Sequence, residues 1–389
     1  MSFDIKTSVM RGAEQLGNIL SFAKQHTKFY ATVRGDHLID FPVINKQILI
    51  DRYADFLVRE DKIPGQDGPV HIQKTSGSTG VPFETRQDTI CRARRIDLIK
   101  SANELMGFHN GDPLMHLRAV KHYWAFDGDM IWRKDLNILY VDNGNLTDEK
   151  VGRIVEALAT YRIRAVRGYM TTLDTMTRYM VEHGIRPIRK LLFISVGELL
   201  QERLRRRIVE DLGCEIVSQY GNEECGVFGQ SKINGSGNVI YLYRANCLIE
   251  VLKMDSDDPV GENELGRIVV TDYTNRAMPL IRYDIGDLAM VEARLESGEV
   301  ASIRNLAGRK TDLIIRTDGT SVDLFNSISP EIYNNPAVRQ WQFVQKGVKE
   351  YQLILCVRDS SLLARKAHFV ELMRKIVGSD AEMDVKFVN

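Results

Sequence analysis

The chain has 389 residues, enough to bury a sizeable core in two or three domains, or in one large domain with an appendage. Lysine plus arginine and aspartate plus glutamate both number 52, so overall charge recruits neither nucleic acid nor a membrane surface. The five cysteines, Cys91, Cys214, Cys225, Cys247 and Cys356, are scattered without a C-x-x-C pair, which argues against a zinc knuckle or disulfide framework and predicts reduced thiols.

Met1 to Asp4 opens no basic and then apolar leader, and no apolar stretch approaches membrane-spanning length, so a cytoplasmic chain is expected. Val9 to Gln25 has helical spacing through Leu16, Ile19, Leu20 and Phe22, and a short helix is predicted from Asn45 past Tyr53. Thr75 to Gly80 carries four hydroxyl side chains and two glycines, followed by Val81 and Pro82. Backbone N–H groups and hydroxyls of such a loop can converge on a phosphate, although the cluster also suits an ordinary loop. It is not the Walker type, which needs Gly-Lys-Ser/Thr opening a helix.

A third helix is predicted over Asp88 to Met106, ended by Gly107, and a strand over Pro113 to Leu117. From Asn143 helices and strands alternate. Thr147 is a plausible N-cap for a helix burying Val151, Ile154, Val155 and Leu158. A strand at Ile163–Val166, a helix at Leu173–Val181, a strand at Leu191–Ser195, a helix at Leu199–Leu212 and a strand at Glu215–Ser218 follow. That alternation predicts a parallel, doubly covered sheet, whose ligands sit at the carboxyl ends of the strands. The loops Ser195 to Glu198 and Gln219 to Glu224 are therefore where chemistry is expected.

After Gly226 the pattern turns to β, with strands at Val239–Lys253, Gly266–Asp272, Asp287–Ala293 and Glu299–Asn305 expected to close a sheet or distorted barrel. Beyond Arg309 come a strand at Asp312–Thr317, a turn at Asp318 and Gly319, and a short helix. Strands at Val338–Gln345 and Tyr351–Arg358, a helix with Phe369, Val370, Met373 and Ile376 inward, and a strand near Asp384–Val388 complete the chain. The expected architecture is α/β: a large domain over residues 1–308, with helix-flanked mixed sheets and a β-barrel-like part, and a small α+β domain over 309–389.

The order of the loops is more specific than any one of them: Thr75 to Gly80, Gly197-Glu198, Tyr220 to Glu224, Leu265 to Asp272, Met278 to Asp287 and Gly308 to Asp312. This series resembles the adenylate-forming (acyl-CoA synthetase-like) superfamily, in the branch of phenylacetate–CoA ligases and the capsule-biosynthesis relatives of coenzyme F390 synthetase. The resemblance covers nearly the whole chain and implies a mobile small domain hinged near Thr311. The family joins a carboxylate to ATP, releases pyrophosphate, and passes the acyl group to a thiol or an amine.

In the family, the loop at Thr75, Ser76, Gly77, Ser78, Thr79 and Gly80 cradles the outer phosphates, with Thr79 counted among the catalytic groups beside Glu224 and Arg309. The resemblance further implies that Gly197 and Glu198 line the nucleotide site and that Tyr220 and Gly221 flank the adenine. Glu224 would hold Mg²⁺, a hard cation suited to carboxylate and phosphate oxygens. Asp287 would accept from both ribose hydroxyls, and Arg309 would donate near the ribose or α-phosphate. By position, Arg118, His122, Tyr123, Trp124, Tyr169 and Ser195 should line the substrate cavity. Arg118, Lys121 and His122 point to a polar or additionally anionic acid with an aromatic ring stacked on Tyr123 or Trp124, unless these side chains lie on the surface.

The pattern departs from the family in several places. The family's small-domain Gly-Lys falls after the last strand, where the chain as given stops at Asn389; Lys386 lies within that strand and is not the matching position. Glu223 replaces the usual Thr or Ser before the final acid, no lysine follows the loop at Val81 to Glu84, and the Cys-x-Cys-Gly-Arg feature of close relatives is missing around Leu295 to Gly298, so no structural zinc is expected. The expected partners are ATP, Mg²⁺, a small organic acid, and CoA, a carrier protein or an amine as acceptor, with no nucleic acid or membrane and with a homodimer compatible. Two other readings stand beside the ligase: a member that activates an unusual nucleophile or runs only the transfer step, and a non-catalytic module that binds nucleotide or acyl-adenylate.

Overall fold

The computed structural model describes residues 5–75, 83–119, 128–309, 313–328, 330–333, 335, 337–357 and 360–388. The chain divides into two compact units, one made of Met1–Ile285 and Ala289–Leu306, the other of Gly286–Leu288 and Ala307–Asn389.

The larger unit is organised on a 12-stranded sheet. Five of its strands run parallel, in the spatial order Ile138–Asp142, Leu114–Arg118, Ala165–Tyr169, Leu192–Val196 and Glu215–Asn222. Parallel strands need crossovers, and the helices Asp148–Thr160, Met170–Glu182 and Glu202–Arg206 supply them. They bury Val151, Ile154, Leu173, Met176 and Leu204 against Met115, Val166, Phe193 and Ile216 of one sheet face. Met106 and Phe108, at the end of helix Thr89–Leu105, cover Leu114, Ala165, Leu192, Ile194 and Val217 on the other. Both faces of these strands are thus apolar at their amino ends, as a doubly covered sheet requires.

Helix starts follow local chemistry. Thr147 Oγ1 accepts from Lys150 N at 3.3 Å and is followed by Asp148 and Glu149, which favour the positive end of the helix. Asp88 and Asn45 cap their helices in the same way, accepting from Cys91 N at 2.8 Å and Ile48 N at 3.0 Å. The helix expected over Leu199–Leu212 is α-helical only from Glu202 to Arg206 and then widens into a π-turn over Arg207–Asp211. There Arg207 donates to the buried Asp174 carboxylate at 2.6 Å, an attachment that local propensity does not encode.

The antiparallel strands expected to form a barrel-like part do not make a separate sheet. Gly226–Gln230 pairs antiparallel with Glu215–Asn222, and Val239–Leu242, Val300–Arg309, Tyr283–Arg294, Leu265–Asp272 and Cys247–Leu252 extend the same sheet from there. The strand read as Val239–Lys253 is two strands, broken around Arg244 to Asn246. Strands Met130–Arg133, Ile138–Asp142 and Gly226–Gln230, and the hairpin His71–Thr75 with Phe83–Gln87, were not foreseen. Tyr30, Phe41, Phe56, Phe228 and Tyr283 fill the core of this half.

In the smaller unit, strand Val338–Gln345 lies antiparallel to Glu350–Val357, which lies parallel to Glu382–Val388. Helix Lys366–Val377 makes the parallel crossover and buries Phe369 and Met373 against Leu353, Leu355 and Val385, with Val370 and Ile376 partly buried beside them. Among the described residues, no helix is long and apolar enough to cross a membrane.

Phe193 is fully buried in an inner strand of the parallel set, Leu192–Val196. Phe193→Ala is expected to destabilise the larger unit by about 3–5 kcal/mol, measured by urea denaturation, because a cavity adds to the lost apolar transfer.

Candidate functional site

Strand Glu215–Asn222 is the point where the sheet changes from parallel to antiparallel pairing. In open α/β sheets, the carboxyl ends of strands at such a point leave a crevice whose loops can reach a ligand. Tyr169, Gly197-Glu198 and Tyr220 to Glu224 all lie at the carboxyl ends of adjacent strands. The turn after Tyr220 is tight. A Cβ on Gly221 would lie 2.4 Å from the Gly226 carbonyl oxygen, and Gly226 itself has φ +89°. Asn222 Oδ1 accepts from Cys225 N at 2.7 Å and closes the turn.

This turn presents the buried Glu224, and two cations from distant sequence hold it. Arg95 Nη2 donates to the Glu224 carbonyl at 2.7 Å and to Asp272 Oδ2 at 2.7 Å. Lys46 Nζ approaches Glu224 Oε1 at 3.5 Å. Asp272 is in turn held by Thr274, whose N–H and hydroxyl both donate to Oδ1 at 2.7 Å. Burial, opposed by Arg118 and reinforced by Glu224, raises the Glu223 carboxyl above its ordinary range. Cys225 is pushed well up by burial, with the charge of Asp272 adding to it, so this thiol is inert packing.

The second part of the site lies on the sheet face bearing His116 and Arg167, which are direct register partners on neighbouring strands. Two residues further along those strands the same face carries Arg118 and Tyr169, and Gln219 lies in register with Tyr169 across strand Leu192–Val196. Arg167 Nη2 donates to Gln219 Oε1, and its Nε is buried without a hydrogen-bond partner. Burial lowers the Arg167 guanidinium to about 10, countered only by Tyr243. Burial, and then the charges of Arg167 and Arg118, holds His116 well below 6.5, so its imidazole is neutral.

The remaining expected residues fall as follows. Glu198 accepts from Thr171 N at 2.7 Å and from Thr171 Oγ1 at 3.0 Å, pinning the start of helix Met170–Glu182. Gly197 has φ +71°, and a Cβ there would meet the Tyr169 ring at 2.7 Å. Tyr220 is buried edge-to-face with Phe228 at 5.4 Å. Ser195 is fully buried, its Oγ without a hydrogen-bond partner. Asp287 is half-buried in strand Tyr283–Arg294 after Gly286, which has φ +83°. Thr75 ends strand His71–Thr75, and Arg309 ends strand Val300–Arg309. Ser76, Gly77, Ser78, Thr79 and Gly80, like His122, Tyr123 and Trp124, lie outside the described residues.

Sequence reading gave no role to Lys46, Arg95, His116 or Arg167, and none to Gln219 and Asp272, although these two lie in stretches singled out above. A charged residue directly after Ala165 and Val166 in a strand covered on both faces was the available signal for Arg167. The others are brought in by tertiary contacts that no local pattern announces.

Among the described residues, no group of three His, Cys, Asp or Glu side chains could hold a metal by itself. A lone Glu224 carboxylate fits Mg²⁺, which keeps several waters and shares its coordination with substrate phosphates.

Similarity to solved structures agrees with this architecture. The chain superposes on 2-hydroxyisobutyryl-CoA ligase, in its postadenylation state with R3-HIB-AMP, with a TM-score of 0.72 at 16% identity, covering 97% of this chain and 85% of that one. The chain therefore has the mixed α/β fold of that acyl-CoA ligase, in agreement with the resemblance to the adenylate-forming superfamily. It is also a remote relative of Protein CapK from Staphylococcus aureus, 20% identical over 332 residues, covering 81% of this chain and 70% of that protein. It is similarly related to phenylacetate-coenzyme A ligase from Thermus thermophilus, 22% identical over 326 residues, covering 78% of this chain and 70% of the ligase. No protein-family model matches the chain.

Asp272→Leu leaves Arg95 buried without its counter-charge and is expected to cost about 3–5 kcal/mol in chemical denaturation, much of it recovered in the Arg95→Met/Asp272→Leu double variant. His116 stays neutral in the fold, whereas the unfolded chain takes up a proton as pH falls through 6.5, so stability declines toward acid. His116→Gln should flatten the fall in thermal midpoint between about pH 7 and 5, read by calorimetry.

Proposed function

We propose that the protein is an AMP-forming ligase that couples ATP to a small organic acid, releases pyrophosphate, and passes the acyl group to a thiol, of CoA or a carrier protein, or to an amine. The observation that carries this reading is Glu224, a buried acid held by Lys46 and Arg95 at the switch point of the sheet. The superfamily fold, and the acyl-adenylate named with the similar ligase structure, support it.

Two anions must meet in the first half-reaction, and the protein has to bring them together and offset the charge that develops on the α-phosphoryl oxygens. In this reading Glu224 holds Mg²⁺, which supplies charge neutralisation to the polyphosphate when bound. Arg95 fixes the backbone that carries Glu224, so the acid is placed before the ligand arrives. The loop from Thr75 to Gly80 receives the outer phosphates, with Thr79 as a hydroxyl donor. Gly197, Glu198, Tyr220 and Gly221 bound the nucleotide, Asp287 takes the ribose diol and Arg309 donates beside it. Arg118 and Tyr169, with His122, Tyr123 and Trp124, face the acid, whereas Ser195, fully buried on the opposite face of the sheet, does not.

The test is pyrophosphate release over a panel of aromatic, hydroxy and amino acids, with calorimetric titration of ATP and Mg²⁺. Glu224→Gln and Asp287→Ala are each expected to reduce pyrophosphate release by about 100-fold or more while thermal midpoints stay near the parent's. Full release in either variant, with a working acid, removes that residue from the proposed site. Nucleotide binding without release on any acid overturns the ligase reading in favour of a binding module.

A further inference from the structure

We propose that Arg167 is the specificity-determining residue for the acid, and that the acid is a dicarboxylate whose second carboxylate, the one that is not activated, binds the Arg167 guanidinium. The proposal rests on the ligase reading in taking this recess for the acid site, and it deepens that reading by naming the substrate class.

Arg167 is out of place by the ordinary rules for arginine. It projects from an inner strand of a parallel sheet, one position beyond Ala165 and Val166, which are both fully buried. A guanidinium there should be paired with a carboxylate, since an uncompensated buried cation is costly. Arg95, in the same unit, follows the rule: although burial alone would lower its pKa, the charge of Asp272 raises it above the ordinary value. Arg167 shifts the other way, and its one hydrogen bond among the described residues goes to the neutral amide oxygen of Gln219. A guanidinium has five N–H donors, so most of its capacity is unused, including the buried Nε–H.

Among the described residues, the side chains beside Arg167 add donors and positive charge, and the Glu223 carboxyl acts on Arg118. His116 stands directly across on the next strand, and Arg118 lies two residues beyond it. Tyr243 is also close, its hydroxyl donating to Gln230 Oε1. His116, Arg167 and Tyr243 are enclosed deeply enough for burial to dominate their titration, yet each keeps some accessible surface. Side chains in that condition line a recess; they do not fill a dry core.

Among the described residues, the recess therefore holds a cation with no carboxylate partner, on the strands whose carboxyl ends present the candidate site. A planar carboxylate matches the unused donors of the guanidinium in a way that a neutral or apolar tail does not. Such a tail would leave the Arg167 charge desolvated and unpaired. The difference between the two is the selectivity.

The decisive measurement is direct binding, by calorimetry, of matched pairs that differ only in the second carboxylate. Succinate is compared with succinamate, glutarate with glutaramate, and isophthalate with 3-carbamoylbenzoate, on the full chain and on Arg167→Met and Arg167→Lys. The expected result is that at least one diacid binds about 100-fold more tightly than its monoamide, that Arg167→Met abolishes this preference, and that Arg167→Lys restores part of it. Thermal midpoints and ATP affinity near the parent's show that the variants are folded. Equal binding within every pair, or a preference that survives in Arg167→Met, overturns the proposal whether or not the acids are turned over. Pyrophosphate exchange with the same acids is run alongside: a diacid preference in binding without exchange on any acid overturns the ligase reading and leaves the anion subsite standing.

Discussion

The site depends on one buried ion pair. Arg95 comes from helix Thr89–Leu105 and Asp272 from the end of strand Leu265–Asp272, 177 residues apart in sequence, and they meet at 2.7 Å with almost no solvent access. The same guanidinium nitrogen also reaches the carbonyl of Glu224. A helix, a strand and the turn bearing the candidate metal ligand are therefore tied at one atom. A buried carboxylate is stable when both oxygens are engaged, and Thr274 donates twice to Asp272 Oδ1 while Arg95 takes Oδ2. Cys91, Cys225 and Cys247 surround the pair as small apolar packing, their thiols held protonated by burial.

Around that anchor the sheet changes its pairing. Parallel strands need helical crossovers and so are covered on both faces; antiparallel strands can return by short turns. Strand Glu215–Asn222 takes part in both arrangements, and the tight turn through Gly221 and Gly226 is the geometric consequence. Residues at this junction are positioned by strands and by buried hydrogen bonds more than by loop conformation, which suits a site that must hold charges in fixed places.

Arg95 and Arg167 show how context decides the meaning of one residue type. Both are enclosed by protein in the larger unit. One is neutralised by a carboxylate of the fold and acts as a structural clamp, and its pKa rises. Among the described residues the other finds an amide oxygen and a nearby phenol, and its pKa falls. The fold invests a stabilising ion pair in the first and leaves the second with an unsatisfied electrostatic demand, which is the condition of a binding group.

The sequence by itself determined the alternation of helix and strand from Asn143 to Ser218, the N-cap at Thr147, and the helix carrying Phe369 and Met373, because period and capping are local properties. It also pointed to the loops at Gly197-Glu198 and Tyr220 to Glu224, through the rule that ligands gather at strand ends. Only the tertiary structure decided that the late antiparallel strands continue the parallel sheet, since strand order is set by long-range pairing. Only it decided that Lys46 and Arg95 hold Glu224, that Glu198 braces a helix, and that Arg167, largely enclosed, has no carboxylate partner among the described residues. Those facts depend on which side chains from distant segments share a low-dielectric space, and a one-dimensional pattern contains no measure of that proximity.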